Sequence, residues 1–90
     1  MAQYTLDGKQ MTDIFSAHNH MAEVFGFPDN YDRSLDMLWD LLCEVPTPFH
    51  LSITHWARAE DGLEDYADEL MELLGDLVEE EPEFSFDVTD

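Results

Sequence analysis

Residues 30–44, Asn30-Tyr31-Asp32-Arg33-Ser34-Leu35-Asp36-Met37-Leu38-Trp39-Asp40-Leu41-Leu42-Cys43-Glu44, set the reading of the whole chain. Ser34 has the side chain of an N-cap, and Leu35, Leu38, Trp39 and Leu42 follow at helical spacing, which predicts a short amphipathic helix. Asp36 and Asp40 stand four apart on one side of it, beside the buried stripe, and Cys43 continues their row. Two like charges at that spacing cost a helix about 0.2–0.5 kcal/mol, so the pair points to something outside the helix. Met37 and Leu41, also four apart, lie off the stripe and form a small apolar patch next to the acids.

The chain around this helix has 90 residues, room for one domain with one core. It is 44% hydrophobic and 12% aromatic, enough to fill an interior despite a very acidic composition. Its 22 Asp and Glu stand against Lys9, Arg33 and Arg58, a formal net charge of −19. Such a field repels nucleic-acid phosphates and anionic membranes and draws in basic proteins, so the expected partner is a cationic protein. A single cysteine, Cys43, excludes a disulfide framework and a multi-thiolate metal site. With no signal-peptide pattern at the start and no apolar run of about 20 residues, a cytoplasmic protein is expected.

Taken in order, Gln3–Leu6 reads as a first strand ended by the turn pair Asp7-Gly8. Thr12 or Asp13 caps a helix of about a dozen residues carrying Ile14, Ala17, Met21, Val24 and Phe25, which Gly26 stops. Pro46 and Pro48 end the second helix and lead into a second strand, Phe49–Ile53, whose apolar residues alternate with His50 and Ser52. His55–Gly62 is hard to read beyond a helical turn around Trp56 and Ala59. From Leu63 a long helix is expected, with Leu63, Tyr66, Ala67, Leu70, Leu73, Leu74, Leu77 and Val78 in one stripe. Pro82 ends it before a closing strand at Phe84, Phe86 and Val88. Strands separated by helices imply an α/β fold, a three-stranded parallel sheet under a layer of helices, with the His50/Ser52 and Ser85/Asp87 face partly open to water.

Pro28-Asp29-Asn30-Tyr31 followed by Leu35-Asp36, Leu38, Trp39, Asp40 and Leu42 resembles the signature of the barstar family, small intracellular inhibitors of the ribonuclease barnase. Asp7-Gly8, His18, Pro48, the long helix and the closing strand fall in the same register, so the resemblance covers nearly the whole chain. It implies a barstar-like three-stranded parallel sheet, no enzymatic activity, no cofactor, and an inhibitory face on the second helix and the loop before it. Carried over by position, Asp36 and Asp40 match the acids that enter a nuclease active site. Tyr31 matches a loop aromatic, Trp39 the motif tryptophan, and Asp76 replaces a contacting glutamate. A carboxylate on a rigid helix mimics phosphate, accepting charge-assisted hydrogen bonds from the Arg, Lys or His groups that a ribonuclease holds for its substrate.

The chain also departs from the family. Asn30 stands where a second tyrosine is common, Asp32-Arg33-Ser34 replaces Gly-x-Asn, Cys43 replaces a small polar residue, and no tryptophan follows near Val45-Pro46. Arg33, three residues before Asp36, is placed to pair with it or to meet an acidic spot on a partner. The partner-binding residues expected are therefore Tyr31, Arg33, Ser34, Asp36, Met37, Asp40, Cys43 and Asp76. They would serve a barstar-like immunity protein, monomeric when free, against a cationic ribonuclease or related toxin.

The alternative is a non-inhibitory acidic adaptor that docks a basic protein through the same helix face. Metal or acid–base chemistry at Asp36 and Asp40 is disfavoured, since two acids on one helix face supply neither a cleft nor a coordination shell. His18, His20, His50 and His55 are read as structural, Trp39 as core, and no Ser-His-Asp spacing, phosphate loop or basic stripe is present.

Overall fold

The computed structural model describes all residues from Met1 to Asp90. Three strands, β1 (Ala2–Asp7), β2 (Phe49–Thr54) and β3 (Phe84–Val88), form a sheet in the order β1-β2-β3 with both pairings parallel. Between them run α1 (Ile14–Phe25), α2 (Leu35–Cys43), α3 (Trp56–Leu63) and α4 (Asp65–Glu80). This is the α/β architecture expected, because parallel neighbours need crossovers and the helices supply them.

Phe49, Leu51 and Ile53 of β2 are buried and meet Leu6 of β1 and Phe84 of β3 on the helix-covered side. On the other side Gln3, Thr5, Ser85 and Asp87 are exposed, and His50 and Ser52 half-buried. The parallel register sets His50 beside Ser85 and Ser52 beside Asp87. His50 therefore reaches Ser85 Oγ through Nδ1 (2.7 Å) and Asp87 Oδ2 through Nε2 (3.2 Å). The sequence shows no Ser-His-Asp spacing, yet the sheet assembles those three side chains. They lie on an open face that none of the clefts borders, and Asp87 is 59% exposed.

Caps define the first two helices as the sequence indicates. Asp13 accepts from the Ser16 N–H at 2.7 Å to start α1, which Gly26 ends in the left-handed conformation (φ 72°). Ser34 Oγ accepts from the Met37 N–H at 3.1 Å to start α2. Two boundaries differ from expectation. A 3-10 turn, Gly8–Gln10, follows β1, and residues 55–62 form most of a true helix, α3. Leu63 closes α3 rather than opening the long helix, because Glu64 takes φ 54° and breaks the chain for one residue. Leu63, Ala67, Leu70, Leu74 and Leu77 are all buried in one core, so apolar spacing runs across the break and hides it. Val78, assigned to the same stripe, is 39% exposed.

No Lys or Arg stands within 4 Å of a carboxylate; the nearest basic partners are the histidines of the His50–Asp87 (3.2 Å) and His55–Asp7 (3.1 Å) contacts, which carry charge only when protonated. The acids therefore repel one another with little local compensation. Raising the ionic strength from about 0.01 M to about 0.15 M shortens the screening length from ~30 Å to ~8 Å, well inside a molecule 30 × 29 × 19 Å across. The urea midpoint is expected to rise over that range. A midpoint that falls with salt would show that attractive pairs dominate.

Candidate protein-binding face

α2 buries Leu38 and Leu42 and turns Asp36 and Asp40 outward, both exposed and neither hydrogen-bonded within the chain. Asp36 sits in the first turn, where the helix dipole favours a negative charge. Upstream, the Asp32 carboxylate accepts from the Ser34 N–H (3.0 Å) and hydroxyl (2.6 Å), which folds the loop into the cap. Met37 Sδ accepts from the Asp32 N–H at 3.4 Å. That contact and packing against the core leave Met37 half-buried, and Leu41 likewise, so the apolar patch expected beside the acids is much reduced.

Trp39 and Leu35 are half-buried rather than core and face α4. Together with Leu73 they form the apolar part of an open groove of about 320 Å³, and Asp36, Glu69, Glu72 and Asp76 line it as well. The structure thus brings Asp36 and Asp76 to one cleft, and Trp39, Leu73, Glu69 and Glu72 line it with them. The spacing 69, 72, 73, 76 already marks one face of α4. That this face opposes α2 depends on how the helices dock. Asp40 lies outside the groove on the free surface of α2.

Cys43 is half-buried. Burial first, and then the negative charges of Glu81, Asp40 and Glu80, hold its thiol above the usual range, so it stays protonated and contributes shape rather than nucleophilicity. The same charges show that the acidic surface continues from Asp40 to the end of α4.

Two of the candidate residues take positions that spacing does not show. Tyr31 is only 5% exposed: its ring joins the core and its hydroxyl meets His18 Nδ1 at 2.5 Å. It anchors the loop and does not present an aromatic surface. Arg33 does not pair with Asp36. Its Nε donates to Asn19 Oδ1 at 2.8 Å, and its guanidinium lies 4.6 Å from the centre of the Phe15 ring.

His18, fully buried on α1, ties the site together: Nδ1 reaches Tyr31 and Nε2 reaches the Tyr66 hydroxyl on α4 at 2.6 Å. A neutral imidazole donates through one nitrogen and accepts through the other, so one tyrosine accepts and the other donates. Burial lowers the His18 pKa, the Arg33 charge lowers it further, and Asp32 opposes them. A histidine depressed in the folded state binds fewer protons there than in the unfolded chain. Its contribution is therefore present above the unfolded value of about 6.5 and is lost as pH falls below it. His18→Gln keeps a donor and an acceptor but does not titrate. The stability gap between the natural sequence and this variant is expected to shrink as pH falls from about 7.5 to about 5, by up to about 1.4 kcal/mol per unit. Urea titrations at each pH check this; a constant gap would mean that His18 is not held neutral.

No three His, Cys, Asp or Glu side chains are grouped to hold a metal ion, and no helix is long and apolar enough to cross a membrane. What the site offers is a rigid helix with free carboxylates, flanked by an acid-lined groove with an aromatic wall. Residues 1–89 match the family described as "Barstar (barnase inhibitor)". A Bacillus subtilis (strain 168) protein described as "Putative ribonuclease inhibitor YrdF" is 32% identical over 81 residues, which is 89% of each chain.

Proposed function

This chain belongs to the barstar family of non-enzymatic ribonuclease inhibitors, and from that premise we propose that it blocks a cationic ribonuclease with Asp40, assisted by Asp36. The observation that carries this reading is that α2 presents both carboxylates free of internal hydrogen bonds, on a helix capped by Ser34 and seated on Leu38 and Leu42. Carboxylates held rigid and unpaired before binding give up little conformational entropy on meeting a phosphate-binding cluster of Arg, Lys and His. Asp76, across the groove, adds a contact to the same basic surface, and the acids of α4 steer the partner in. Ser34 and Met37 shape the loop and the helix start, and Cys43 borders the acidic row.

A toxin-like nuclease with the inhibitor retained in the cytoplasm of the producing cell fits this chemistry. A free monomer also fits it, since two copies at net charge −19 repel each other. The test is a ribonuclease assay with barnase as the probe, at low and physiological salt. Inhibition that saturates at one inhibitor per enzyme and weakens with salt is the expected result. Full ribonuclease activity in the presence of excess folded inhibitor would remove barnase as a target and pass the face to the adaptor reading.

A further inference from the structure

We propose that Arg33 is a specificity residue, a guanidinium held on Phe15 and Asn19 at the edge of the acidic face to take a carboxylate that the ribonuclease carries beside its basic site. The proposal rests on α2 being the docking face. Three observations support it. Arg33 adopts φ 59°, a left-handed conformation that glycine enters freely and an arginine only at a cost. Side chains kept in such conformations next to a binding site are candidates for a role in it.

The side chain is also supported at two points. Asn19 holds Nε and the Phe15 ring supports the guanidinium plane, both from α1. Phe15 is 61% exposed and Ile14 beside it 45%, so this support is itself a surface, continuous with the loop before α2. Finally, the terminal nitrogens Nη1 and Nη2 are unpaired. In a chain with 22 acids, no carboxylate lies within 4 Å of Arg33: Asp36, three residues on, points elsewhere, and Asp32 is engaged with Ser34. A terminal pair of N–H donors held in one plane matches a carboxylate bidentately.

The face is then bipolar. Basic groups of the partner meet Asp36 and Asp40, and one acidic group meets Arg33. A ribonuclease without that acid leaves a cation unpaired at the interface and is discriminated against. The bystander view makes the opposite forecast. Removing Arg33 makes the chain more negative, so a cationic partner should then associate at least as fast and bind at least as tightly.

The test uses a displayed library of catalytically inactive barnase, randomised at the surface positions around the mouth of its active site. It is selected in parallel on the natural chain and on Arg33→Gly, with Asp40→Ala as a control. Glycine accepts φ 59° without strain, so Arg33→Gly is expected to fold with an unchanged or higher Tm. The expected result is enrichment of Asp or Glu at one position on the natural chain, with those binders losing about tenfold or more on Arg33→Gly. Binders without an enriched acid, equally tight or tighter on Arg33→Gly but lost on Asp40→Ala, would overturn the proposal and leave the docking face standing. If no library member binds the natural chain, a barnase-like ribonuclease is not what the face takes, and this proposal, which rests on that reading, falls with it.

Discussion

Asp40→Ala is expected to weaken the complex with a target ribonuclease by about 2–5 kcal/mol, a loss of roughly thirty-fold to several thousand-fold. That general range comes from truncating one member of a desolvated charge pair, and complexes of this family are among those that define it. The loss is large because the basic cluster on the nuclease stays buried and unpaired when its carboxylate goes. Asp36→Ala should cost less, since Glu69, Glu72 and Asp76 line the same groove and partly replace its charge. Asp68→Asn, on the exposed surface of α4, should mainly slow association and flatten its salt dependence. Stopped-flow association and competition titration separate these effects. An Asp40→Ala variant that keeps full affinity for a confirmed partner would falsify the proposed mechanism.

Gly8→Ala is expected to be the most damaging conservative change in the fold. Gly8 is buried where the chain leaves β1, and a Cβ there would collide with the His55 carbonyl oxygen and stand 2.6 Å from its carbon and 2.8 Å from the Thr54 oxygen. Those atoms are backbone at the end of the central strand, so relief requires moving β2 or α3. Substitutions that overpack a buried site in this way belong to the group that costs about 4 kcal/mol or more, out of a typical total of 5–15. Gly75→Ala is the control. A Cβ on Gly75 meets nothing within 4 Å in the exposed interior of α4, so the change should stabilise the protein by up to about 1 kcal/mol. Thermal unfolding of both variants tests the pair, and a Gly8→Ala protein melting with the natural one would show that the turn yields cheaply.

The two glycines show how far local reading extends. Gly75 lowers helix propensity whatever surrounds it, and the sequence leaves open whether close packing requires it. Open space at that position shows that it does not. Gly8 reads as an ordinary turn residue because its constraint, the backbone of His55, lies 47 residues away. Gly62 is similar: a Cβ there would stand 2.6 Å from the Thr12 carbonyl carbon. Close backbone approaches of this kind leave no periodic trace.

Within the site the same division holds. Asp36 and Asp40 were legible because the cap at Ser34 and the stripe Leu38–Leu42 fix the helix phase, and phase alone says which residues face outward. Where Tyr31 and Arg33 point was not legible, because loop residues have no phase. Tyr31 is buried through a histidine 13 residues earlier, and Arg33 is drawn to Asn19 and Phe15 by a left-handed turn that composition does not announce.

By itself, the sequence determined the α/β order of strands and helices, the parallel sheet, the capped helix with its outward acids and the strongly negative net charge. All of these rest on spacing, capping and composition, which act over a few residues or over the whole chain. Only the tertiary structure decided that Trp39 and Leu73 share a groove with Asp36 and Asp76, that His18 joins Tyr31 to Tyr66, and that Arg33 stands apart from every carboxylate. Each depends on how two distant segments dock, and docking is chosen by packing across the core rather than by any local preference.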